Sequence, residues 1–78
     1  MSVMFEVYYK PPANPSKEAA VTDRVMSLGG HLDYREEAGE QAGICLTYEF
    51  ADQESAEKAA STLRQLDEHV EGPMDYCP

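Results

Sequence analysis

The chain has 78 residues, which allows one domain over 1–78 and leaves no room for a second. An apolar share of 42% and an aromatic share of 9% are those of a globular protein and exclude a disordered one. Fifteen acidic residues against six basic ones give a formal charge of −9. Such a field repels nucleic-acid phosphates and anionic lipid heads, and it favours a basic partner or a cation.

Val3, Phe5, Val7 and Tyr9 alternate with Met4, Glu6, Tyr8 and Lys10, which predicts a half-buried first strand. The stretch MSVMFEVYY has no basic segment followed by an apolar core, so it reads as a strand and not a signal peptide. The expected location is therefore cytoplasmic, with reduced thiols. PPANP stops the strand, because proline has no N–H to donate to a ladder. Asn14 suits a helix cap and Pro15 the first helical position. Val21, Val25 and Leu28 follow at i, i+4 and i+7, the stripe of an amphipathic helix, and Gly29-Gly30 ends it.

From Leu32 the period falls to two, with Leu32 and Tyr34 on one side and His31, Asp33 and Arg35 on the other. EEAGEQAG (36–43) suits a hairpin loop. Ile44, Leu46, Tyr48 and Phe50 then alternate with Cys45, Thr47 and Glu49 in the clearest strand of the chain. Asp52 caps a second helix that carries Ala56, Ala59, Ala60, Leu63 and Leu66 on one face. Gly72-Pro73 marks a turn or a strand start, and Met74 to Cys77 can form a short last strand. No apolar run approaches the roughly 20 residues that span a bilayer.

This β-α-β-β-α-β order resembles the ferredoxin-like α+β fold over nearly the whole chain. The resemblance implies a four-stranded antiparallel sheet in the order 4-1-3-2, with two helices on one face. Within that fold the chain is similar to the small ligand-sensing ACT modules. The likeness lies in a helix directly after the first strand and a glycine end to that helix at Leu28-Gly29-Gly30. Those modules usually carry a glycine in the loop after strand one, where this chain has PPANP. The ACT likeness implies a small-molecule ligand between the loop 10–16 and the first helix.

In such a fold one sheet face is free of helices. The alternation assigns Met4, Glu6, Tyr8, Lys10, His31, Asp33, Arg35, Cys45, Thr47 and Glu49 to that open face. A hairpin closed between Glu37 and Gly43 pairs His31 with Glu49, Asp33 with Thr47, and Arg35 with Cys45. One aromatic, Tyr8, and two basic residues, Lys10 and Arg35, make neither the stacking platform nor the positive field of an RNA-binding sheet. The expected function is non-enzymatic docking through Met4, Glu6, Tyr8, Cys45 and Thr47, with His31, Arg35 and Glu49 around them. The partner is a second copy of the chain or a basic protein. The alternatives are the small-molecule sensor and an enzyme using His31 and Glu49.

Other chemistry finds little support. Cysteine and histidine occur singly, with no C-x-x-C or H-x-x-x-H pair to pre-form a metal site, so no cofactor or metal is expected. Cys45 and Cys77 fall on strands about 9.5 Å apart at ~4.8 Å per spacing. That exceeds the ~7 Å between Cα atoms that a disulfide spans. Cys77 has Asp75 and Tyr76 beside it and no cation to favour a thiolate. Asp52 and Glu54 are accounted for by the start of the second helix, where the macrodipole stabilises negative charge. KPPANPSKEA lacks the glycine-rich, arginine-bearing phosphate loop that acylphosphatases place after strand one.

Overall fold

The computed structural model describes residues 2–37 and 43–76. Its elements run β1 (Ser2–Tyr9), α1 (Pro15–Ser27), β2 (His31–Glu37), β3 (Ile44–Phe50), α2 (Gln53–Gln65) and β4 (His69–Tyr76). The strands form one antiparallel sheet in the order β2-β3-β1-β4, the ferredoxin-like arrangement. Val3, Phe5 and Val7 of β1 and Leu46, Tyr48 and Phe50 of β3 bury one sheet face against Val21 and Val25 of α1 and Ala56, Ala59, Ala60 and Leu63 of α2. Both helices therefore lie on the same side. No helix among the described residues is long and apolar enough to cross a membrane.

Local chemistry explains where each helix starts and stops. The Asn14 side chain accepts from the Lys17 N–H at 3.0 Å, with Pro15 in the first turn. Asp52 does the same for α2, accepting from Ser55 N–H at 3.0 Å. Both helices end in one pattern of two reversed bonds. Gly29 N–H donates to Met26 O and Gly30 N–H to Val25 O; Asp67 N–H donates to Arg64 O and Glu68 N–H to Leu63 O. The motif needs a left-handed residue, which is Gly29 at φ 96° in α1 but Asp67 at φ 65° in α2. That conformation costs a side-chain-bearing residue about 1–2 kcal/mol.

The centre of the core is aromatic. Phe5 stands 5.8 Å from Tyr48 and 5.2 Å from Phe50, ring centre to ring centre. The Tyr48 hydroxyl, otherwise an expensive buried polar group, lies 2.9 Å from the Thr22 hydroxyl. Gly30 is buried under the same cluster: a Cβ there would meet the Phe50 ring at 2.4 Å and Val25 Cγ1 at 2.7 Å.

Two irregularities depart from the expected strands. The first is in β4, which begins at His69, five residues before the expected Met74. His69, Val70 and Glu71 pair with Tyr8, Val7 and Glu6, and pairing resumes at Met74 opposite Met4. Between these stretches β4 spends one residue more than β1, a bulge at Gly72-Pro73 with Gly72 at φ 104°. Arg64 of α2 donates to two carbonyls at the bend, Val70 O at 3.1 Å just before it and Gly72 O at 2.6 Å within it. Gly72-Pro73 is thus a bulge inside an edge strand, where proline is tolerated. Cys77 lies outside the described residues.

The second irregularity is in β2. His31 opposes Glu49 as expected and Leu32 opposes Tyr48, but Tyr34 then opposes Thr47, Arg35 opposes Leu46, and Glu36 opposes Cys45. Asp33 is an extra residue in β2. Side chains alternate with a period of two, so one inserted residue exchanges the two faces for everything after it. The expected pairs Asp33–Thr47 and Arg35–Cys45 are therefore corrected. Arg35 belongs to the helix side of the sheet, and Tyr34 and Glu36 belong to the open face.

Two substitutions test this description. Gly30→Ala is expected to lower stability by about 1–3 kcal/mol, the usual cost of overpacking a core. Asp67→Gly is expected to raise it by about 1 kcal/mol. Denaturant titration of both variants checks the signs; an Asp67→Gly protein weaker than wild type would contradict the α2 ending.

Candidate functional site

The open face is built by alternation. Each buried core residue of β1 and β3 is followed by one that turns away from the helices, so Met4, Glu6 and Tyr8 stand beside Glu49, Thr47 and Cys45 in the two central strands. All six are half-buried. Edge strand β4 adds His69 and Glu71, and edge strand β2 adds His31, Asp33, Tyr34 and Glu36. Eight of the residues expected on this face are together there: Met4, Glu6, Tyr8, His31, Asp33, Cys45, Thr47 and Glu49. Arg35 is absent from it.

A hydrogen-bonded cluster occupies the centre. The Tyr8 hydroxyl donates to Glu6 Oε1 at 3.1 Å, and the Cys45 thiol points at Glu6 Oε2 at 3.6 Å with Thr47 Oγ1 at 3.9 Å. Burial, followed by contact with Cys45 and Glu6, pushes the Tyr8 phenol well above its ordinary range. Burial also pushes the Cys45 thiol up, and the Glu6 carboxylate adds to this against opposing bonds from Thr47 and Tyr8. Cys45 thus stays a thiol at neutral pH and is a poor nucleophile. Tyr8 meets the His69 ring edge to face at 6.0 Å. Each histidine on the face has a carboxylate beside it: His69 Nε2 is 2.9 Å from Glu71 Oε1, and His31 Nε2 is 3.1 Å from Glu49 Oε1. Donor atoms of His31, Asp33 and Glu49 all lie within 4.8 Å of one another. Those three are the residues able to hold a metal among the described residues.

On the other side of the sheet, Arg35 makes a two-pronged bond to Glu18 of α1, Nε to Oε1 at 2.6 Å and Nη2 to Oε2 at 2.9 Å. Its Nη1 donates to Glu37 at 2.7 Å. The Tyr9 hydroxyl also donates to Glu18 and accepts from the Asn14 N–H at 2.9 Å. Arg35 first, and Tyr9 after it, hold the Glu18 carboxyl below its usual range despite burial. Between the loop 10–16 and α1, where a small-molecule ligand was expected, Tyr9, Asn14, Glu18 and Arg35 are bonded to one another.

The placement of Arg35 decides the charge of the open face. The six basic residues of the chain are Lys10, Lys17, Arg24, Arg35, Lys58 and Arg64. Four are on the helices, Arg35 faces α1, and Lys10 falls just past the end of β1. The strands therefore offer Glu6, Asp33, Glu36, Glu49 and Glu71 on this face and no lysine or arginine among the described residues. His69 and Glu71 were legible as an H-V-E alternation around Val70. Tyr34 and Glu36 had no signal in the pattern, because nothing in HLDYREE announces a bulge.

No protein-family model, curated protein or solved structure matches the chain.

Glu18 carries a pH prediction. A carboxyl with a lowered folded pKa stabilises the fold at neutral pH and loses that contribution as pH falls through its folded pKa. Glu18→Gln should therefore be less stable than wild type at neutral pH, with the gap closing as pH falls through and below the carboxylate range. Thermal melts over that range check it; a gap independent of pH would contradict the ion pair.

Proposed function

We propose that this chain is a non-enzymatic docking module whose open sheet face binds a cationic partner, a lysine- and arginine-rich peptide or protein surface. The observation that supports this most is the composition of the face: five carboxylates, two tyrosines and Met4, with no lysine or arginine facing it among the described residues. Such a surface attracts basic chains at long range and offers Tyr8 and Tyr34 for contact once they arrive. Tyr34 is 59% exposed. Two copies packed through this face would set five carboxylates against five, a like-charge arrangement that disfavours association. A basic partner is therefore preferred to a second copy. The face presents protonated Cys45 and hydrogen-bonded carboxylates and no activated nucleophile among the described residues, which favours binding over catalysis. The ACT-like sensor reading is less favoured, because Tyr9, Glu18 and Asn14 are already bonded to one another there.

A fluorescent Lys/Arg-rich peptide tests the reading. Saturable binding that weakens with added salt is expected. The double variant Glu6→Lys, Glu49→Lys should weaken it about tenfold or more, which is about 1.4 kcal/mol. Glu54→Lys, Glu57→Lys on α2 changes net charge equally and should weaken it far less. Equal losses in both variants would reduce the effect to net charge. A salt-resistant dimer dissolved by Tyr8→Glu would replace the proposal with self-association.

A further inference from the structure

We propose that the β2 end of the open face is a binding site for a divalent transition-metal ion of the zinc type, held by His31, Asp33 and Glu49. The three side chains come from adjacent strands and carry different donors, one imidazole nitrogen and two carboxylate oxygens. Donors bound to one ion at ~2.0–2.2 Å stand roughly 3–3.5 Å from each other. His31 Nε2 and Glu49 Oε1, at 3.1 Å, already have that spacing. The Asp33 carboxylate is within 4.8 Å of both and lies on an exposed residue, so a side-chain rotation completes the set.

The bulge leaves Asp33 free beside this group. As the extra residue of β2 it has no partner on β3, and its carboxylate lies close to the His31–Glu49 pair. The two carboxylates stand near one another with no lysine or arginine facing them among the described residues. Asp33 itself has no hydrogen bond or ion pair to another side chain among the described residues. A divalent cation supplies the missing positive charge and uses His31 in its neutral form as a ligand. The donor set selects the metal class. Calcium and magnesium prefer oxygen-only shells, whereas a mixed imidazole and carboxylate set suits zinc, nickel, cobalt or iron. Three protein donors leave at least one position for water or for a donor from a bound molecule.

This site does not depend on the docking reading, and its test is separate. The full chain, freed of metal with a chelator, is titrated with Zn²⁺ by calorimetry and with Co²⁺ by visible absorption. One ion per chain is expected, with a cobalt ligand-field band and no competition from Mg²⁺ in excess. His31→Ala should abolish saturable binding, Asp33→Asn should weaken it about tenfold or more, and His69→Ala should leave it unchanged. His31 and Asp33 are exposed, so these variants keep the fold, which circular dichroism confirms. No saturable binding, binding that survives His31→Ala, or binding lost with His69→Ala would each overturn the site.

Discussion

The Arg35 guanidinium rests its fork on Glu18 of α1, and it reaches that carboxylate only because β2 holds one residue more than the stretch of β3 it pairs with. In an unbroken ladder Arg35 would oppose Cys45 and point away from the helices. A planar guanidinium matched to both oxygens of a carboxylate is among the stronger polar contacts a protein makes. Here it is extended on both sides. Glu37 accepts from the remaining arm of Arg35, while Tyr9 donates to Glu18 and accepts from the backbone of Asn14, the residue that caps α1. One connected set of bonds thus joins the outermost strand, the first helix and the end of β1. It provides what β2 lacks in burial, since every residue of that strand is exposed.

The same contact divides the charge of the molecule. With Arg35 drawn to the helix side, the basic residues gather around the helices and the open face keeps carboxylates, histidines and tyrosines. A net charge of −9 spread evenly would serve solubility alone. The five carboxylates of the open face, with no lysine or arginine facing them among the described residues, make it a surface with a preference for cations. That preference has two scales. The whole face suits an extended basic surface, and the bulge corner, where Asp33 joins His31 and Glu49, suits a single ion.

Much of the fold was legible from particular residues. Asn14-Pro15 and Asp52 marked the helix starts, Gly29-Gly30 marked an end, and the alternation through Phe5, Tyr48 and Phe50 identified the core face and with it the central open-face residues. Both bulges were hidden, for different reasons. In β4, Gly72-Pro73 looks like a turn, and the Arg64 contacts that hold the bend come from a different element. In β2, hydrophobic alternation specifies register only where one face is buried, and this edge strand buries neither. HLDYREE alternates well enough to hide an inserted residue. The register follows instead from a long-range ion pair, which no local pattern encodes.

The most direct test is the register of β2 on β3, read from cross-strand backbone contacts by NMR in solution. Contacts of Tyr34 with Thr47 and of Arg35 with Leu46 are expected, together with an Arg35 side chain close to Glu18. Contacts of Asp33 with Thr47 and of Arg35 with Cys45 would return Arg35 to the open face and remove the basis for a cation-seeking surface.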